Sequence, residues 1–175
     1  FTSLFITPIK KSEIIASLTI TAIIRTLIGL VPVSLFAIPL FGVSIYEIGF
    51  ILFALLINLH IFGITLGIFV SSGLIRYGPA FENIAWATLF LLAPLGCIYY
   101  PIDILPDWLQ SVAKSLPLVY IFEEVRNILI YQTYNVINIL KATMITFLYF
   151  AVAIFIFYIS FEKSREKGTL MNMGE

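Results

Sequence analysis

The sequence predicts an all-α integral membrane protein with about four transmembrane helices and a pair of short external re-entrant or interfacial helices between the last two spans. Three observations predict it. Of 175 residues, 61% are hydrophobic and 11% are charged. Mean hydropathy is +1.05. Uncharged runs at 26–46, 48–75, 83–102 and 142–161 approach or exceed the roughly 20 residues that cross a hydrocarbon core. A soluble domain of this size has no interior large enough for so much apolar surface.

The first span is predicted over 12–37, because Pro32, Pro39 and Gly42 would interrupt a helix centred on the run that starts at Thr26. This choice puts Arg25 near mid-membrane, where an arginine costs about 2.5–3.5 kcal/mol on insertion scales and must face protein or water. Ser17, Thr21, Arg25 and Gly29 recur every fourth residue, so they share one small, polar helix face. The second span is predicted over 47–71, with His60, Gly63, Gly67 and Ser71 as a comparable stripe suited to close helix packing. Glycine and proline within 71–79 mark a loop, and a third span follows over 83–100.

Pro101 and Pro106 then forbid a continuous helix. Residues 107–115 form a short amphipathic helix carrying Trp108, Leu109, Val112 and Leu116 on one face, with the tryptophan suited to a membrane interface. Pro117 ends it. A second short helix over 119–131 carries Glu123, Glu124 and Arg126, and the two together read as a re-entrant or surface hairpin. The last span covers 136–161 and leads into a charged tail, 162–167, read as a solvated terminus. The aromatic residues Phe147, Tyr149, Phe150, Phe155, Phe157, Tyr158 and Phe161 surround that span, which argues for lipid contact.

With Arg25 set aside, Lys10, Lys11, Arg76, Lys163, Arg165 and Lys167 fall on one side and Lys114, Arg126 and Lys141 on the other. The bias predicts a multi-pass protein of the plasma membrane with both ends of this chain cytoplasmic and the hairpin outside. The chain opens at Phe1, and its first residues lack the charged-then-apolar order of a signal peptide. The expectation is a single transmembrane domain whose upstream part is missing.

The formal net charge is zero, which gives nucleic acid nothing to bind and leaves membrane lipid and other membrane chains as partners. Cys97 is the single cysteine, so no internal disulfide or cysteine-based metal cluster forms, and its expected role is packing inside a span. An intramembrane enzyme would need clustered nucleophiles, acid–base pairs or metal ligands. The lone histidine, His60, reads as a packing or interhelical hydrogen-bonding group instead. Arg25, Asn58 and His60 are the intramembrane polar candidates for a transport path, although Arg25 also fits a structural cation held by neighbouring helices. Glu123 and Arg126, three apart on a helix, can pair, either as a solvated pair or as a contact at the outer mouth. There is no phosphate-binding glycine loop ending in Lys-Ser or Lys-Thr, so energy from ATP would have to come from another chain.

The most specific stretch is Tyr100-Pro101-Ile102-Asp103-Ile104-Leu105-Pro106-Asp107-Trp108-Leu109-Gln110, continuing through Leu116-Pro117-Leu118-Val119-Tyr120 to Phe122-Glu123-Glu124-Val125-Arg126. It resembles the YP...LP.WLQ...P..Y.FE..R pattern between the last two spans of ABC-2 permeases, the membrane subunits of a class of ATP-binding-cassette exporters. Thr7-Pro8-Ile9-Lys10-Lys11-Ser12-Glu13 is similar to that family's cytoplasmic segment after its second span. The resemblance implies spans three to six of a six-span permease, a homodimer or a pair with a sister permease, and export by alternating access. It also implies an ATPase contact at Thr7, Pro8, Ile9, Lys10, Lys11 and Glu13. Pro101, Pro106, Trp108, Pro117, Glu123 and Arg126 would then belong to the external hairpin. This chain itself would hold no cofactor, with ATP and Mg on the partner ATPase. The alternatives are an ATP-independent secondary transporter or channel and, in a third class, a non-transporting membrane scaffold.

Overall fold

A computed structural model describes residues 10–41 and 49–166, and every regular element among them is helical. In chain order these are α1 (Lys11–Phe41), α2 (Phe50–Tyr77), α3 (Phe81–Leu95), a 3-10 turn (Ile102–Ile104), α4 (Asp107–Ala113), α5 (Pro117–Tyr131) and α6 (Val136–Glu166). Three of the helices are long and apolar enough to cross a membrane, within Ser12–Phe36, Phe50–Tyr77 and Val136–Glu166, and α3 is a shorter apolar helix. Thr7, Pro8 and Ile9 lie outside the described residues.

The core is the α2/α6 pair. Ile64, Ile68 and Ile75 of α2 meet Ala153, Phe157 and Phe161 of α6 in one buried cluster, and Ile14, Ile15 and Ala22 of α1 lean on it. At the other end Leu55 and Ala142 share a cluster with Ile121 and Ile128 of α5. The rings of Phe62 and Tyr149 meet edge to face at 6.0 Å, and Ser164 Oγ donates to the Ile75 carbonyl at 2.9 Å. The two helices therefore run parallel, with Leu55 level with Ala142, Phe62 with Tyr149 and Ile75 with Ser164.

Several boundaries differ from the sequence expectation. The predicted loop over 71–79 does not begin until Gly78, because Ser71 and Ser72 donate to the carbonyls of Gly67 and Ile68 at 2.8 and 2.7 Å and so need no turn to satisfy their hydroxyls. Gly78, at φ 75°, ends the helix, a conformation that glycine adopts without strain. The extension also lets α2 and α3 approach closely, since a Cβ on Gly73 would lie 2.1 Å from the Phe81 ring. In α1 the helix continues through Pro32 to Phe41. Each proline removes one backbone bond, a loss that membrane helices tolerate where neighbouring groups compensate.

α3 is shorter than predicted. It stops at Leu95 because Pro94 lies in its last turn and Cys97 turns left-handed at φ 52°. Pro117 opens α5 rather than merely ending α4, as suits a residue with no N–H to leave unpaired in a first turn. The charged tail is helical as far as Glu166, with Ser164 buried against α2. The aromatic belt of the last span divides: Phe147 and Phe155 are exposed, whereas Phe157 and Phe161 are core residues.

Candidate functional site: the re-entrant hairpin and the polar groups of the spans

The hairpin is locked by the polar residues of the motif itself. Tyr100 Oη donates to the Pro94 carbonyl at 2.8 Å, Gln110 Nε2 to the Leu105 carbonyl at 2.8 Å, and Tyr120 Oη to the Lys114 carbonyl at 3.0 Å. Each closes a turn that the prolines leave without a helical partner. Glu123 Oε1 accepts from the Ile102 backbone N–H at 3.0 Å and from Arg126 Nη1 at 2.7 Å. Arg126 Nη2 in turn donates to the Cys97 carbonyl. The guanidinium thus bridges a carboxylate on its own helix and the left-handed residue that ends α3, using the fork geometry that sets arginine apart from lysine.

Cys97 is buried with Ala113 and Val119, against Tyr100, Ile102 and Leu105, so it packs as expected, though in the hairpin beyond the end of α3 rather than inside a span. Gly96 permits the approach of α5, because a Cβ there would sit 2.8 Å from both Leu118 Cδ1 and the Leu92 carbonyl oxygen. On the hairpin Ile104, Trp108 and Val112 are exposed. They form an apolar edge of the kind that seats at a membrane interface.

A second lock runs to the last span. Glu124 is fully buried and accepts from the Asn135 backbone N–H and from Asn138 Nδ2, both at 2.7 Å, and more weakly from Asn127 Nδ2 at 3.4 Å. Sequence reasoning places Glu124 on the hairpin helix without giving it a role. Its donors, the Asn135 backbone N–H and the Asn138 side-chain amide, lie beyond the turn between α5 and α6, so no local spacing in the sequence marks it. Gln132, left-handed at φ 55°, makes the sharp turn between the two helices.

The intramembrane candidates do not converge. Arg25, with Thr21 and Gly29, is exposed on α1, and among the described residues no hydrogen bond or ion pair reaches its guanidinium. The small-residue stripe of α2 is open as well, since a Cβ on Gly63 or Gly67 would meet nothing within 4 Å. His60 is half-buried on that helix, with a buried Nε2 that has no partner. Asn58 faces the other way, buried toward α6, with its Nδ2 donating to the Ala54 carbonyl at 2.9 Å. An apolar crevice between α2 and α3, lined by Leu66, Phe69, Phe81, Ala85, Thr88 and Leu89, has nothing to grip a polar ligand, for the Thr88 hydroxyl is already bonded to the Ile84 carbonyl. Among the described residues no three His, Cys, Asp or Glu side chains gather as a metal site requires.

At the opposite end of the bundle Lys10 and Glu13 are exposed, and the Lys10 backbone N–H donates to Glu13 Oε2 at 2.9 Å. This is the reach-back half of a capping box. It gives Glu13 a local structural role at the N-terminus of α1.

Long apolar helices and a proline-built hairpin locked between two of them define a polytopic helical membrane protein. The family model of the ABC-2 type transporter matches residues 1–130, and the chain belongs to that family. It is a membrane subunit of an ABC transporter. The match runs from before α1 into α5 and stops short of α6. No curated protein and no solved structure is matched.

Proposed function

We propose that the chain is the permease of an exporter driven by a separate ATP-binding-cassette ATPase, working as a homodimer or with a sister permease in the plasma membrane. The observation that carries this reading is the polarity of the bundle, in a member of a transporter family. One end is closed by the doubly locked hairpin. The other gathers the start of α1 and the ends of α2 and α6 around one cluster, with Lys10, Arg76, Lys163 and Arg165 exposed. Positive charge collects on the cytoplasmic side of membrane proteins, so that end is the one available to an ATPase that binds ATP and Mg. Thr7 to Glu13 is the proposed contact.

Alternating access then requires the locked hairpin to move as a unit with α3 and α6. Arg25 is the proposed pathway group, because an exposed guanidinium at mid-span has to meet water or another polar surface. The test is purification of the full-length permease from native membranes in mild detergent. A P-loop ATPase should co-purify, and the complex should hydrolyse Mg-ATP in a vanadate-sensitive way. If no ATPase accompanies the permease and flux in vesicles persists without ATP, the protein is a secondary transporter or channel.

A further inference from the structure

Beneath the hairpin, two buried polar atoms have no partner: Asn58 Oδ1 on α2 and Thr146 Oγ1 on α6. Asn58 is 6% and Thr146 0% exposed. They lie at the same level of the α2/α6 interface. Asn58 is one turn past Leu55 and one turn before Phe62, and Thr146 is one turn past Ala142 and one turn before Tyr149, the residues that set the register.

The threonine breaks a local pattern. Thr65 on α2 and Thr143 on α6 both turn their hydroxyls back to the carbonyl four residues earlier, at 2.8 Å, and Thr146 does not. A helical hydroxyl that forgoes that bond is available to another group. Asn58 is likewise half satisfied, with its Nδ2 bonded to Ala54 and its carbonyl oxygen unused. One group can donate and the other accept. In a membrane interior lipid satisfies neither.

We propose that Asn58 and Thr146 form a hydrogen-bonding site between α2 and α6 that binds one water molecule, which accepts from the Thr146 hydroxyl and donates to Asn58 Oδ1. A buried water takes the place of missing partners where polar groups converge. The cluster of Leu55, Ile121, Ile128 and Ala142 closes the site toward the hairpin, so the water is held under an apolar plug that includes the re-entrant helix. The link pins α2 to α6 at the level where the plug ends.

The test is a double-mutant cycle on the full-length permease, read as thermal stability in nanodiscs, with Asn58→Leu, Thr146→Val, the double variant, and Thr146→Ser, which keeps the hydroxyl. Each apolar single variant should lower Tm by about 2–4 °C. The double variant should fall no further than the worse single one, and Thr146→Ser should stay near the parent. Additive losses would mean that the two groups act independently, and a Tm unchanged or raised by the apolar variants would mean that neither has a partner to lose; either result would overturn the link. If Asn58→Leu does not fold, the Thr146→Val and Thr146→Ser pair still decides, because equal behaviour of the two excludes a role for the hydroxyl. Density in a high-resolution map separates the two forms of link: a peak bridging Oδ1 and Oγ1 supports the water, and direct contact between them overturns it.

Discussion

Asn138 donates its side-chain amide to Glu124 Oε1 at 2.7 Å, tying the hairpin helix to the last span from a position where Glu124 is wholly shielded. The same carboxylate takes the Asn135 backbone N–H. Removing Glu124 therefore strands two donors at once, the half-buried Asn138 amide and the N–H of the exposed Asn135, for which about 1–3 kcal/mol per fully buried unpaired group is the upper bound. Glu124→Ala should lower the thermal stability of the full-length permease far more than Asn127→Ala, whose bond is long. Glu124→Gln should fall between the parent and Glu124→Ala, because its amide presents a donor where one of the two accepting oxygens was. Equal stability of the parent and Glu124→Ala would show that the second lock carries no weight.

Arg126 serves two acceptors, Glu123 Oε1 and the Cys97 carbonyl, from a side chain only 22% exposed. A lysine ammonium can reach one of them but lacks the planar fork that spans both. Arg126→Lys should cost about 1.5–3 kcal/mol, the range for a hydrogen bond to a charged group. It should also increase proteolysis or hydrogen exchange around residues 96–102. Glu123→Gln should loosen the same segment, and the double variant should be less than additive. Independent effects of the two changes would mean that the pair does not hold the end of α3.

Glu13 has a local role and a proposed one, and Gln separates them. Because Gln also completes a capping box, Glu13→Gln should leave α1 and membrane insertion intact. If the segment contacts the ATPase, the triple variant Pro8→Ala/Ile9→Ala/Glu13→Gln should insert normally yet reduce ATPase co-purification and ATP-driven export. Unchanged coupling in that variant would remove the segment from the interface.

The all-helical membrane class and the hairpin are legible in the sequence, because uncharged runs and prolines act on the chain locally, but of the four predicted spans only three are long enough to cross among the described residues, the third shrinking to the 15 residues of α3. Boundaries are less so. Ser71 and Ser72 look like loop residues, but their hydroxyls fold back on the helix, and a helix apolar on every side gives no contrast to tell buried Phe157 from exposed Phe155. Glu124 is silent in the sequence, since its partners come 11 and 14 residues later and only the left-handed turn at Gln132 brings them back. Tyr100, Gln110 and Tyr120 appear in the family pattern without a stated role. Their carbonyl partners lie five or six residues away, across proline breaks that conceal the spacing.

In the proposed orientation the two ends of the bundle face opposite sides of the membrane, with the locked hairpin outside and the charged ends of α1, α2 and α6 toward an ATPase in the cytoplasm. Single cysteines at Ser111 and Lys163, both exposed, in a Cys97→Ala background, test it directly. Ser164 is unsuitable because it is buried and bonded to Ile75. An impermeant maleimide added to intact cells should label the Ser111 position and should reach the Lys163 position only after permeabilisation. Labelling of both from one side, or of the Lys163 position alone in intact cells, would overturn that orientation.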